Sequence, residues 1–193
     1  MNIPNMTRSR ALVVSLFEQY GLPGYSLGRL EAQKLVYFLK EAGEAFPRLN
    51  YVKHRYGPYA EDLNHALQRM EGHFIQGYGD RSARSEMVVL PEGKQAADVF
   101  LRGDAEAVAR LERVSRLIEG FETPYGMEML ATIHWVATRE NSIAADDVEA
   151  AIAGVHGWNE RKARIFKVPH LRKAWARLKA QGWLEGTIAA GSR

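Results

Sequence analysis

Arg29-Leu30-Glu31-Ala32-Gln33-Lys34-Leu35-Val36-Tyr37-Phe38-Leu39-Lys40-Glu41-Ala42-Gly43-Glu44 decides the fold class. Ala32, Leu35, Val36 and Leu39 recur at helical spacing, and Gly43 closes the run, so the pattern predicts a helix from about Leu27 to Ala42. On its N-terminal side, Thr7 is a candidate N-cap. Leu12, Val13, Leu16, Phe17 and Tyr20 share one face of a first helix, which Gly21 and the turn Leu22-Pro23-Gly24 stop. On its C-terminal side, the extended piece Leu49-Asn50-Tyr51-Val52 leads to a turn at Gly57-Pro58. Tyr59, Leu63, Ala66, Leu67 and Met70 then mark a third helix, with Pro58 at or near its first position, where a missing N–H costs nothing.

Further along, the stretch from Gly72 to Asp80 has no period and reads as a structured loop, followed by a polar run from Arg81 to Glu86. Met87-Val88-Val89-Leu90 is a strand candidate bounded by Pro91 and Gly93. Helices resume after Asp104, with Val108, Leu111, Ser115 and Ile118 on one face, and again after the Thr123-Pro124 start signal. That second helix carries Met127, Leu130, Ile133, His134 and Ala137. Asp146 or Asp147 starts another, with Val148, Ile152 and Val155 inward and Gly157 at its end. Pro169 opens the last, whose Leu171, Trp175 and Leu178 face in, and Gly182 is its C′ residue. The expected architecture is mainly α: a compact multi-helix domain over residues 1–186, with a few short strands. A small winged-helix-like C-terminal part would occupy 145–186, and 187–193 would form a flexible tail.

At 193 residues, 46% hydrophobic and 25% charged, the chain can bury a core without staples. The absence of cysteine excludes disulfides and thiolate metal sites and fits a reducing compartment. No apolar run approaches the roughly 20 residues that span a bilayer. Met1-Asn2-Ile3-Pro4-Asn5-Met6 lacks the pattern of a signal peptide, so the cytoplasm is expected, with no membrane partner.

Chemistry is harder to find. His54, His65, His73, His134, His156 and His170 make no HxxxH or HxH pair, and His134 on an apolar helix face reads as a hydrogen-bonded core histidine. There is no nucleophile elbow, Walker A loop or Rossmann fingerprint. The acid pairs Glu61-Asp62 and Asp146-Asp147 sit at helix starts, where they oppose the macrodipole. The residues alone therefore predict a binding domain that is not an enzyme and holds no metal or cofactor. Two features could bind. The net charge is only +3, yet Arg161, Lys162, Arg164, Lys167, Arg172, Lys173, Arg177 and Lys179 follow one another with no acid among them. Arg172, Lys173, Arg177 and Lys179 could hold DNA phosphates in a winged-helix regulator, or could simply be a solvated helix face. Tyr51, Tyr56, Tyr59, Phe74 and Tyr78 cluster near Lys53, His54, Arg55, His73, Gln76 and Asp80. Such rings are either interface anchors or half-buried core with wet hydroxyls.

Five blocks resemble the C-terminal domain of DarG antitoxins in order: Arg29 to Glu44, Tyr51 to Leu63, Met70 to Asp80, Glu119 to Glu128 with Trp135, and Trp158-Asn159 with His170 to Trp175. Gln33-Lys34-Leu35 with Tyr56-Gly57-Pro58 is similar, more distantly, to Panacea or SocA-like antitoxins, which implies a proteolytic adaptor as a further reading. The DarG resemblance implies a domain that binds and blocks a DarT-type DNA ADP-ribosyltransferase by occupying its single-stranded DNA cleft. It also implies that the N-terminal macrodomain, which carries the hydrolase, is absent. Tyr56, Tyr59, Glu61, Asp62, Glu71, His73, Phe74, Gln76, Tyr78 and Asp80 are the expected toxin-binding residues. Their acids would stand for phosphates and their rings for bases, as a local DNA mimic.

Overall fold

A computed structural model describes residues 3–79 and 85–185. Thr7 caps helix α1 (Arg8–Gly21) by accepting from the Arg10 amide. Helix α2 (Arg29–Glu41) follows, then strands β1 (Val52–His54) and β2 (Gly57–Tyr59) and helix α3 (Glu61–Met70). Strands β3 (Ile75–Gln76) and β4 (Val88–Val89) precede helices α4 (Pro91–Phe100), α5 (Ala105–Ile118) and α6 (Pro124–Trp135). A π-helical turn (Val136–Glu140) and a 3-10 turn (Ser142–Ala145) lead to α7 (Val148–His156), α8 (Glu160–Ile165) and α9 (Val168–Ala180). The architecture is mainly helical, and the strands form two separate antiparallel pairs, β1 with β2 and β3 with β4.

The core is built around α2 and α6. Every residue from Glu31 to Leu39 is buried, as is every residue from Gly126 to His134. The expected apolar stripe on α2 is therefore too narrow, because a helix buried on all sides is a central one. α1, α5 and α9 pack around this pair, and α4 packs on α1. His134 is a core residue. Its Nδ1 lies 2.6 Å from the Tyr37 hydroxyl, and burial holds it down to about pKa 3, keeping the ring neutral. At the N-terminal end of the core, Glu44 is buried between Arg8 and Arg110 and ties α1 to α5.

Several expectations are corrected. Pro58 lies in β2, not in α3; it pairs with Lys53, and α3 opens at Glu61. Residues 145–185 hold three helices and no strand, so no wing is present there among the described residues. Asp80, part of the polar run after it and the tail from 187 lie outside the described residues.

Helix α4 has no counterpart in the sequence expectation, because Pro91 and Gly93 read as breakers. Pro91 occupies the helix start, where proline is tolerated. Gly93 is needed for contact, since a Cβ there would fall 2.3 Å from the Phe74 carbonyl oxygen. Gly93→Ala should therefore destabilise the protein by about 1–3 kcal/mol despite alanine's higher helix propensity, read as a lower urea midpoint at unchanged slope.

Candidate functional site

The two polar side chains inside α2, Gln33 and Lys34, both reach the β1–β2 hairpin. Gln33 donates to the Ala60 carbonyl (2.9 Å) and accepts from the Ala60 amide (3.0 Å). Lys34 Nζ donates to the Pro58 carbonyl at 2.6 Å. Burial pushes the Lys34 ammonium down to about pKa 7, with the Lys162 charge acting the same way and Glu128 opposing both. The hairpin can lie this close because Gly57 adopts a φ of +97°. A Cβ there would meet Thr132 Oγ1 at 3.0 Å and Lys34 Nζ at 3.5 Å.

Behind the hairpin, the buried Glu128 carboxylate accepts from Arg161 through both oxygens (2.7 and 3.2 Å) and from Lys162 Nζ at 2.5 Å. Lys162 is fully buried, and burial lowers its pKa against the pull of Glu128. The loop before α8 clasps the hairpin edge. Trp158 Nε1 donates to the His54 carbonyl (2.9 Å) and Asn159 Nδ2 to the Arg55 carbonyl (3.1 Å).

These contacts present a basic, aromatic surface. Tyr56 at the hairpin tip is 38% exposed, with Arg55 5.4 Å and Arg161 4.6 Å from its ring centroid. Lys53 lies 4.3 Å over Trp158 and pairs with Glu140. His54 stacks on Tyr59 at 4.7 Å. Rings flanked by cations are the elements from which single-stranded nucleic-acid grooves are made.

Only some of the ten residues expected at a toxin interface reach this surface. Tyr56 is exposed and Tyr59 half-buried, its hydroxyl donating to the exposed Glu61 at 2.6 Å. Asp62 and Gln76 are exposed, and His73 is half-buried. Phe74 and Tyr78 face the core instead, where the Tyr78 hydroxyl donates to Asn64 at 2.7 Å. Glu71 is taken up by its own loop, accepting from the Gly77 and Tyr78 amides at 3.0 Å each. The sequence expectation left out Arg161, Trp158 and Glu128 as parts of a site. The polar pair Gln33-Lys34 inside an apolar helix was the available signal that something docks there.

No protein-family model matches the chain. A curated Thermus aquaticus protein named DNA ADP-ribosyl glycohydrolase is 44% identical over 181 residues, 94% of this chain and 49% of that protein. Proteins of the same name from Mycobacterium bovis and Mycobacterium tuberculosis are each 44% identical over 147 residues, 72% of this chain and 41% of theirs. The chain is a homologue of proteins that carry this name. It spans about half the length of the curated relatives or less. The names are consistent with DarG-related proteins, and they correct the expectation of an antitoxin domain without catalysis, because they are the names of a hydrolase.

They lend no support to a DNA-binding regulator working through α9, and the geometry supplies a reason. Arg172 pairs with Glu149, and Lys179 with Asp146 at 2.5 Å. Arg177 donates to the Leu117 and Glu119 carbonyls at 3.0 and 2.6 Å, closing the end of α5. Lys173 is exposed.

Glu128→Gln would leave Arg161 and Lys162 without their carboxylate, Lys162 being fully buried. Unfolding should become easier by about 3–5 kcal/mol, measured by denaturant titration at pH 7.

Proposed function

We propose that this chain works in the removal of ADP-ribose from DNA, the activity in the names of its homologues, and that the β1–β2 hairpin face holds the DNA strand. The carrying observation is the exposed Tyr56 ring between Arg55 and Arg161, beside the Lys53–Trp158 and His54–Tyr59 pairs. Rings accept bases by stacking, while the cations draw the phosphates.

The test uses the full chain and an ADP-ribosylated single-stranded oligonucleotide, with binding followed by anisotropy and ADP-ribose release by chromatography. Affinity should fall with salt. Tyr56→Ala should weaken it about tenfold, as loss of one stacked base predicts, and Tyr56→Phe should keep it. A folded chain that neither binds the oligonucleotide at low salt nor releases ADP-ribose would overturn the proposal.

The finer resemblance, to the C-terminal part of DarG proteins, extends the same proposal to a protein partner, a DarT-type transferase. Glu61 and Asp62, exposed on the first turn of α3 beside Tyr59, offer an acidic edge to a basic nucleic-acid cleft. Co-purification with an inactivated transferase should be lost on Glu61→Lys with Asp62→Lys. No complex at micromolar concentrations, or one indifferent to both changes, would count against this partner.

A further inference from the structure

A second concavity of about 830 Å³ opens on another side of the molecule, between the start of α1, the segment after α2 and the outer face of α3. None of the hairpin residues from Lys53 to Tyr59 lines it. Its floor is apolar and includes Phe46, Leu63 and Leu67, each at most 6% exposed. Its rim carries Arg10, Arg48 and Arg69, with His65 and one acid, Asp62. Arg10 is already occupied, donating to the Asn5 carbonyl. Among the described residues, no ion pair engages Arg48 or Arg69, and both are exposed.

We infer that this cleft binds a nucleoside phosphate. Three guanidinium groups against a single carboxylate select an anion, and their planar forks match phosphate oxygens. The size lies within the range of small-molecule sites. The floor side chains are almost wholly covered by their neighbours, so the apolar area on offer is narrow. It suits a planar ring and is too small for a partner helix, whose docking would bury on the order of 800 Å² per side. The N-terminus of α1 opens at the rim with no acid in its first turn, so the field there is positive as well.

The same chemistry could come from a free nucleotide or from one residue of a DNA strand, and calorimetry separates the two. The full chain is titrated with AMP, with ADP-ribose, with a short single-stranded oligonucleotide and with inorganic phosphate. At least one nucleoside phosphate should bind at a single site, about tenfold or more tighter than inorganic phosphate. Arg48→Ala with Arg69→Ala should weaken that binding by at least about tenfold without changing the circular dichroism spectrum, since both side chains are exposed. Tyr56→Ala should leave it unchanged, so the cleft and the hairpin face stand or fall separately. Saturation by AMP or ADP-ribose assigns the ligand to the free pool, and saturation by the oligonucleotide alone assigns it to DNA. No nucleoside phosphate binding at millimolar concentration would overturn the inference. So would binding that survives the double substitution, or equal affinity for inorganic phosphate.

Discussion

The carboxylate of Glu128 is the point on which the hairpin face depends. It is buried and is shared by Arg161 and Lys162, with Lys34 close enough to feel its charge. Each cation then supports a different part of the surface. Lys34 holds the Pro58 carbonyl, and Arg161 reaches the Tyr56 ring. Lys162 lies 5.3 Å from the Trp158 ring, whose indole N–H holds the hairpin backbone. Charges are costly to bury, and a cluster with more cations than acids costs more. Stability alone would be served as well by apolar residues. The hairpin face instead gains cations fixed beside rings, ordered before any ligand arrives.

Local signals in the sequence were readable because they act over a few residues. Thr7, Asp104, Thr123 and Asp147 all cap helices with their side chains, and Gly182 takes the positive φ of a helix end. What escaped depended on partners distant in sequence. Gly93 reads as a breaker until Phe74 is placed against it. Pro58 reads as a helix start until Lys53 pairs with it across the hairpin. The six-residue helix α8 is too short to display a period. The tyrosine-rich centre held both kinds of ring: Tyr56 stayed outside, while Tyr78 went to the core because Asn64 could take its hydroxyl.

The function was less accessible for a related reason. No short motif marks this surface, since its members come from the hairpin, α6 and the loop before α8. The homologues named for a hydrolase corrected an expectation built on missing motifs. A motif search sees nucleophiles and phosphate loops. It does not see a base-stacking face assembled from one exposed tyrosine, one tryptophan and cations drawn from three elements.

The π-helical turn at Val136–Glu140 carries a different kind of information. The Asn141 amide donates back to the Val136 carbonyl at 2.8 Å, so the coil is wider there than in an α-helix. Arg139, on that widened turn, lies over the rings of Tyr37 and Trp135 and pairs with Glu41. Removing one residue from 136–140 would restore the regular coil and rotate everything after it by roughly 100° about the helix axis. Length differences among homologues at this point are thus changes of phase. A chain one residue shorter would need a different residue to meet Glu41, and its helices α7 to α9 would approach the core from a new direction.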